Sequence, residues 1–280
     1  MMYTAAGFPL SAVAEKRRSP ISRQHTERGT EKVGFCRLKI TSRQNETVKK
    51  AVRLRSCPSA DGFIVEGARF VTEIAPENIK EVFCSCPDEF SDFFEKLGDV
   101  PVYDVTEPVM EKLCGVVGAQ KLCAVVSKKN PERPNRLVVL DGVRDPGNAG
   151  TIIRTAAAFG FGCVFSDDSA NPFSEKVVRG TAGAILPVYI ERVNLSDAIA
   201  SLKREGFLVI SSELDETARK LSDFPKNVEK IALIVGNEGK GVSPAVSATA
   251  NEKLYIPIKN TNSLNAAVAA AIMMHYFSEV

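Results

Sequence analysis

LDGVRDPGNAGTIIRTAAAFG, residues 140–160, decides how the second half of this 280-residue chain is read. An apolar run, RLVVL at 136–140, stops at Asp141, and Gly142, Pro146, Gly147 and Gly150 then allow the backbone to turn sharply and to approach a ligand or a partner chain closely. A helix beginning near Asn148 follows, with apolar residues at helical spacing. Strand, polar turn and helix form the repeating unit of an open α/β sheet, in which ligands bind beyond the carboxyl ends of the strands.

The same order recurs outward from this stretch. Strand-like runs GCVFS (162–166), LPVYI (186–190), FLVISS (207–212), KIALIVG (230–236) and KLYIPI (253–258) alternate with helical stretches at 174–184, 195–206 and 243–250, and a long helix closes the chain at 263–277. Runs such as Ile231 to Val235 are almost continuously apolar, as parallel strands covered on both faces require. Residues 137–280 are therefore expected to form an α/β domain, a parallel sheet with helices on both faces. Two further strands end in polar residues, in LIVGNEGKGVS (233–243) and IPIKNTNSLNAAVAAAIMMHYF (256–277). Three polar strand ends in one domain imply one composite pocket.

Upstream, SKKNPERPNR (127–136) has two prolines and no apolar period, and reads as an exposed linker. Residues 40–126 read as a smaller α/β domain. Its first helix, within 40–54, takes Thr41 or Ser42 as cap, turns Val48, Ala51, Val52 and Leu54 inward, and leaves Arg43, Lys49, Lys50 and Arg53 outside as candidate contacts to nucleic-acid phosphates. GFIVEG, IKEVFCS and VPVYDV are its β-like runs, and the two lobes together make a two-domain chain. Residues 1–39 mix Arg, Lys, Ser and Thr without periodicity and read as a disordered basic extension.

Composition narrows the field of functions. A hydrophobic fraction of 44% fills real cores, and a net charge of +2 neither announces nor excludes a nucleic-acid partner. The seven cysteines are scattered with no Cys-x-x-Cys pair, and only His25 and His275 could assist them, so neither a disulfide framework nor a metal site is expected and a reducing cytoplasm fits. No apolar run reaches the ~20 residues that span a bilayer.

Within the three polar segments, Asn148 and Arg154 are expected to converge on one pocket mouth; the alternative is an Asn helix cap and a surface Arg. GNEGKG lacks the spacing of a phosphate-binding Walker loop, and no G-x-G-x-x-G follows the first strand, which removes the common nucleotide and dinucleotide sites. Ser263 is placed as an N-cap and Asn265 in the first turn of the last helix, whose small apolar face suits burial in the core or across a dimer.

DPGNAGTIIRTAAAFG, IVGNEGKGVS and IPIKNTNSLNAAVAAAI, in this order, resemble the three signature motifs of the SpoU/TrmH family of RNA ribose 2′-O-methyltransferases. NETVKKAVRL and GFIVEGARFV in the smaller domain are similar to the ribosomal-protein-like substrate-binding domain of many members, although SCPSAD stands where typical members carry several Lys or Arg. The resemblance implies a deep C-terminal trefoil knot and S-adenosylmethionine held by the knot loops, without a metal. It also implies a cytoplasmic homodimer whose sites take residues from both subunits, and structured RNA, ribosomal RNA foremost, as substrate. Asn148 and Arg154 match the first motif, Glu238 the acid of the second, and Ser263 with Asn265 the third. Val235, Gly236, Asn237, Ile256, Leu264 and Asn265 would cradle the cofactor. Independently of the resemblance, the 174–184 stretch places Arg179 near the expected pocket as a candidate RNA contact, with helix packing as the alternative role of its Ala and Gly. A guanidinium keeps its proton and has only N–H donors to offer, which makes it a poor base, so Arg154 is expected to clamp a phosphate or the developing alkoxide. A transfer-RNA substrate, or a non-catalytic RNA-binding or assembly protein of the same fold, is the alternative.

Overall fold

The computed structural model describes residues 38–115, 117–118 and 120–278. The basic extension anticipated over 1–39 lies outside them, apart from its last two residues.

The smaller lobe runs β1 (Leu38–Ile40), α1 (Glu46–Ser56), β2 (Phe63–Glu66), α2 (Ala68–Thr72), β3 (Ile79–Cys84), α3 (Ser91–Phe94), β4 (Val102–Val105), α4 (Glu107–Cys114) and β5 (Leu122–Val126). Its sheet has the order β1-β4-β3-β5-β2, with β5 antiparallel to both neighbours and the other pairs parallel. One face packs on α1 and α4 through Val48, Ala51, Val109 and Leu113 against Ile64, Phe83 and Val125. Leu38 and Lys39 are strand residues and not extension: so short a segment has no readable period, but it pairs with β4 and buries Ile40. The cap of α1 is Asn45 and neither Thr41 nor Ser42, because the Asn45 side chain accepts the Thr47 N–H at 2.8 Å.

The larger lobe continues with β6 (Arg136–Asp141), α5 (Pro146–Phe159), β7 (Gly162–Ser166), α6 (Glu175–Gly180), β8 (Ile190–Val193), α7 (Leu195–Arg204), β9 (Leu208–Ser212), β10 (Arg219–Lys220), β11 (Ile231–Gly236), α8 (Pro244–Ser247), β12 (Glu252–Tyr255) and α9 (Ala266–Ser278). All seven strands are parallel, in the order β10-β12-β9-β11-β6-β7-β8. Successive strand residues point to opposite faces. Val138, Leu140, Leu233 and Val235 thus meet Ile152, Ile153 and Ala156 of α5 and Ala267, Ala270 and Met273 of α9. Leu137, Val139, Ala232 and Ile234 meet Leu195, Ile199 and Leu202 of α7 and Val246 of α8. Helices cover both faces, as the unbroken apolar strands require.

Three local expectations shift. LPVYI is not a strand: Pro187 has no N–H for a ladder, and β8 starts only at Ile190, while Ile185 and Val188 are buried from irregular backbone. β12 stops at Tyr255, ahead of Pro257. The 127–136 segment is exposed at 129–132 and 135, as a linker would be, but not throughout. Lys128 is only 5% exposed and donates to Asn130, whose side chain accepts the Ile190 N–H at 3.1 Å and donates to the Ile190 carbonyl at 2.7 Å.

Candidate active site

The central strands set the site. β6 and β11 lie side by side with Asp141 opposite Gly236, so the loops that follow them emerge together. The second loop is held by its own residues. Asn237 and Gly241 exchange backbone hydrogen bonds of 2.9 Å in both directions, and the Asn237 side chain accepts the Gly239 and Lys240 N–H groups at 3.0 and 3.1 Å. The amide of Asn237 donates to the Gly142 carbonyl at 2.8 Å, and Asp141 accepts the Ser243 N–H at 2.7 Å, which ties this loop to the first. A Cβ on Gly236 would lie 2.1 Å from the Gly241 carbonyl carbon, so only glycine permits the closure.

α5 begins two residues earlier than the sequence suggests. Asp145 is its cap, accepting the Asn148 N–H at 2.8 Å, which leaves the Asn148 side chain free of capping. At the third segment Ser263 is not the cap either. The Asn265 side-chain oxygen accepts the N–H groups of Ala267 and Val268 at 2.9 and 3.2 Å and starts α9, whereas the Ser263 carbonyl accepts the Thr261 hydroxyl at 3.1 Å. With Oδ1 of Asn265 occupied by backbone donors, its Nδ2 must donate, and it does so to Asn148 Oδ1 at 2.9 Å. Asn148 in turn donates through Nδ2 to Glu238 Oε1 at 2.8 Å. The backbone cap of α9 therefore dictates the amide orientation of Asn148, and the three segments are joined in one directional chain, Asn265 to Asn148 to Glu238. Glu238 holds Asn148 and not Arg154.

Beside this chain opens a cavity of about 380 Å³. Val235, Gly236, Asn237, Glu238, Ile256, Ser263 and Leu264 line it, as do Leu214, Tyr255, Ile258 and Asn262. The lining mixes apolar side chains with amides, hydroxyls and the carboxylates of Glu213 and Glu238, which suits a molecule that joins a flat ring system to polar groups, such as S-adenosylmethionine, and the volume is within the range of small-molecule sites. Ser212, Glu213 and Leu214, also in the lining, were missed from the sequence. Their signal is a fourth polar strand end, SSELDE after β9, which the three-motif pattern hides. No cluster of metal-binding side chains occurs among the described residues.

Other candidates fall elsewhere. Arg154 is exposed on α5 and has no hydrogen-bond or ion-pair partner among the described residues. Six residues turn a helix by about 600°, so Arg154 sits roughly 120° round the axis from Asn148, and the two do not converge within one chain. Arg179 is occupied: it pairs with Glu66 and Glu175 at the seam between the lobes, away from the cavity lining. On the small lobe, Lys49 pairs with Glu46 at 2.8 Å and Arg43 with Glu111 at 3.4 Å, while Lys50 and Arg53 are exposed.

A parallel sheet whose second and third polar segments line one cavity, with the first tied to them through Asn148 and neither Asn148 nor Asn265 itself in the lining, defines its class. The chain belongs to the SpoU rRNA Methylase family, whose model matches residues 135–275. It is 31% identical over 246 residues to the 23S rRNA (guanosine(2553)-2′-O)-methyltransferase RlmP of Bacillus subtilis, covering 85% of this chain and 98% of that protein. An AdoMet-bound rRNA methyltransferase from Sinorhizobium meliloti superposes with a TM-score of 0.73 at 27% identity, over 85% of this chain and 96% of that one. A putative RNA methyltransferase of the TrmH family from Porphyromonas gingivalis gives 0.71 at 30% identity, over 82% and 96%.

Proposed function

We propose that this chain methylates a ribose 2′-hydroxyl of ribosomal RNA with S-adenosylmethionine as donor. The observation that carries the reading is the Asn265–Asn148–Glu238 chain, whose Glu238 lines the cavity, in a chain that spans nearly the whole of a 23S rRNA 2′-O-methyltransferase. When bound, S-adenosylmethionine supplies an electrophilic methyl on a sulfonium. The residues of this chain supply position: Val235, Gly236, Asn237, Ile256 and Leu264 hold the donor, and Asn148, fixed by its two neighbours, presents polar groups to the ribose at the rim. Ser263, exposed in the cavity lining, is available to the same rim.

Homodimerisation belongs to the same proposal. Val268 and Ile272 of α9 are exposed at 47% and 37%, on the helix packed beside α5 and its exposed Arg154. A second copy seated there covers the apolar side chains and brings Arg154 to the partner's cavity, where it clamps a phosphate or the developing alkoxide. The division into an RNA-recognition lobe over 40–126, with Arg43, Lys49, Lys50 and Arg53 near phosphates, and a catalytic lobe over 137–280 is part of this reading, as are the trefoil knot and a cytoplasmic location beside the ribosome. No helix among the described residues is long and apolar enough to cross a membrane. Methyl-tritiated S-adenosylmethionine incubated with the chain and undermodified ribosomal RNA is expected to label the large-subunit RNA at a 2′-oxygen; no incorporation into ribosomal or transfer RNA would favour the non-catalytic alternative.

A further inference from the structure

α6 touches both lobes. On one side it lies against α5 at backbone distance: a Cβ on Gly150 would stand 2.8 Å from the Val177 carbonyl oxygen and 2.9 Å from Gly180 Cα. Gly150 is two residues beyond Asn148, so the position of α6 bears on the turn that presents Asn148. On the other side α6 meets the small lobe. Glu175 Oε2 accepts from Arg55 Nε and Nη2 at 3.0 and 2.8 Å, at the end of α1. Arg179, one turn on, pairs with Glu175 and with Glu66 at the end of β2. The four charges alternate and cancel.

The seam is more than a surface ion pair. The Glu175 and Glu66 side chains are 20% and 12% exposed, and Glu66 Oε2 is buried without a hydrogen-bond partner, so the Glu66 charge depends on Arg179. Beneath the charges, Phe63 and Val65 of β2 share one apolar cluster with Val177 and Val178 of α6, and the rings of Phe63 and Phe173 lie 5.4 Å apart. Asn171 adds a hydrogen bond of 3.0 Å to the Pro58 carbonyl.

We propose that Glu175 is a positioning residue for methyl transfer: through α6 it holds the small lobe, and the RNA that lobe carries, in a set relation to Asn148, so that bound RNA presents its ribose at the cavity. The proposal rests on the methyltransferase reading above. Charge serves geometry here and not phosphate contact, since Arg179 and Arg55 are neutralised by Glu66 and Glu175.

The test uses the full chain with Glu175→Gln, Arg55→Gln and the double variant. Single-turnover methylation is measured at saturating RNA and S-adenosylmethionine, with RNA affinity by filter binding, donor affinity by calorimetry and amide exchange by mass spectrometry. Glu175→Gln is expected to lower the single-turnover rate about 10- to 100-fold, with donor affinity within about twofold and RNA affinity within about threefold. Amide exchange should rise in 175–180 and 146–150 but not in 236–241. The double variant should be no slower than the worse single one, since both break the same tie. An unchanged rate at saturating RNA, or unchanged exchange at 146–150, overturns the proposal even if the melting temperature falls. A wild-type chain that transfers no methyl refutes the functional reading instead, and the exchange data still report whether losing the Glu175–Arg55 tie loosens α6 and the 146–150 turn packed on it.

Discussion

Asn265 and Asn148, 117 residues apart, are joined by a 2.9 Å hydrogen bond whose direction is set by the helix cap that Asn265 makes with its other side-chain atom. One residue thus starts α9 and orients Asn148, the partner of the cavity-lining Glu238. The two duties separate chemically. Asn265→Asp keeps an N-cap acceptor, and its charge suits a helix N-terminus, but it has no N–H to give to Asn148. It is expected to melt within a few degrees of wild type while losing at least about tenfold in methyl transfer. Asn265→Ala loses both, with about 1 kcal/mol of stability gone. Equal melting losses in the two variants would mean that the cap contributes nothing.

Gly236→Ala tests the loop that walls the cavity. The added methyl cannot coexist with the Gly241 and Val242 backbone at 2.1 and 2.2 Å, so the Asn237–Gly241 closure must open. S-adenosylmethionine affinity measured by calorimetry should fall by at least about tenfold, since the lining would no longer be preformed. Wild-type affinity would place the donor elsewhere.

Arg154 is exposed and unpaired among the described residues, about a third of a turn round α5 from Asn148. Arg154→Lys is expected to lose most transfer with donor binding intact, because an ammonium cannot reproduce the guanidinium fork. If Arg154 acts in a second copy, mixing inactive Arg154→Lys and Asn148→Ala chains restores about a quarter of wild-type activity, since half of the dimers are mixed and each has one whole site. An inactive mixture, with exchange of subunits verified by mass, would mean that Arg154 serves its own chain.

Burial pushes the Lys128 ammonium down to about 8 from 10.5. Between these values the unfolded chain binds more protons than the folded one, so stability rises with pH through that window, and the penalty is fully present below pH 8. Lys128→Met is expected to raise stability by about 1–2 kcal/mol at pH 7, with the advantage shrinking as pH climbs from 8 to 10.5. Urea unfolding across that range measures it; a constant advantage would mean that Lys128 does not titrate on unfolding.

Much of the larger lobe was legible. Continuous apolar strands, helical periods and glycine-rich polar turns each carry a local physical signal, and the two helix-covered faces follow from strand alternation. Signals failed where a neighbour in space decided the outcome. LPVYI has strand composition, but its apolar side chains fill the core from irregular backbone and Pro187 cannot join a ladder. Thr41, Ser42 and Ser263 are as good caps on paper as Asn45 and Asn265, and the choice rests on where each helix had to begin to pack.

By itself the sequence determined the α/β class, the three polar strand ends and the residue types available for chemistry, because these depend on periods and propensities within a few residues. The tertiary structure alone decided that Asn148 faces Asn265 and Glu238 and not Arg154, that Asp145 frees Asn148 from capping, and that Arg179 is committed to Glu66 and Glu175. Those outcomes depend on strand register and helix rotation, which bring together side chains about a hundred residues apart and leave no trace in local spacing.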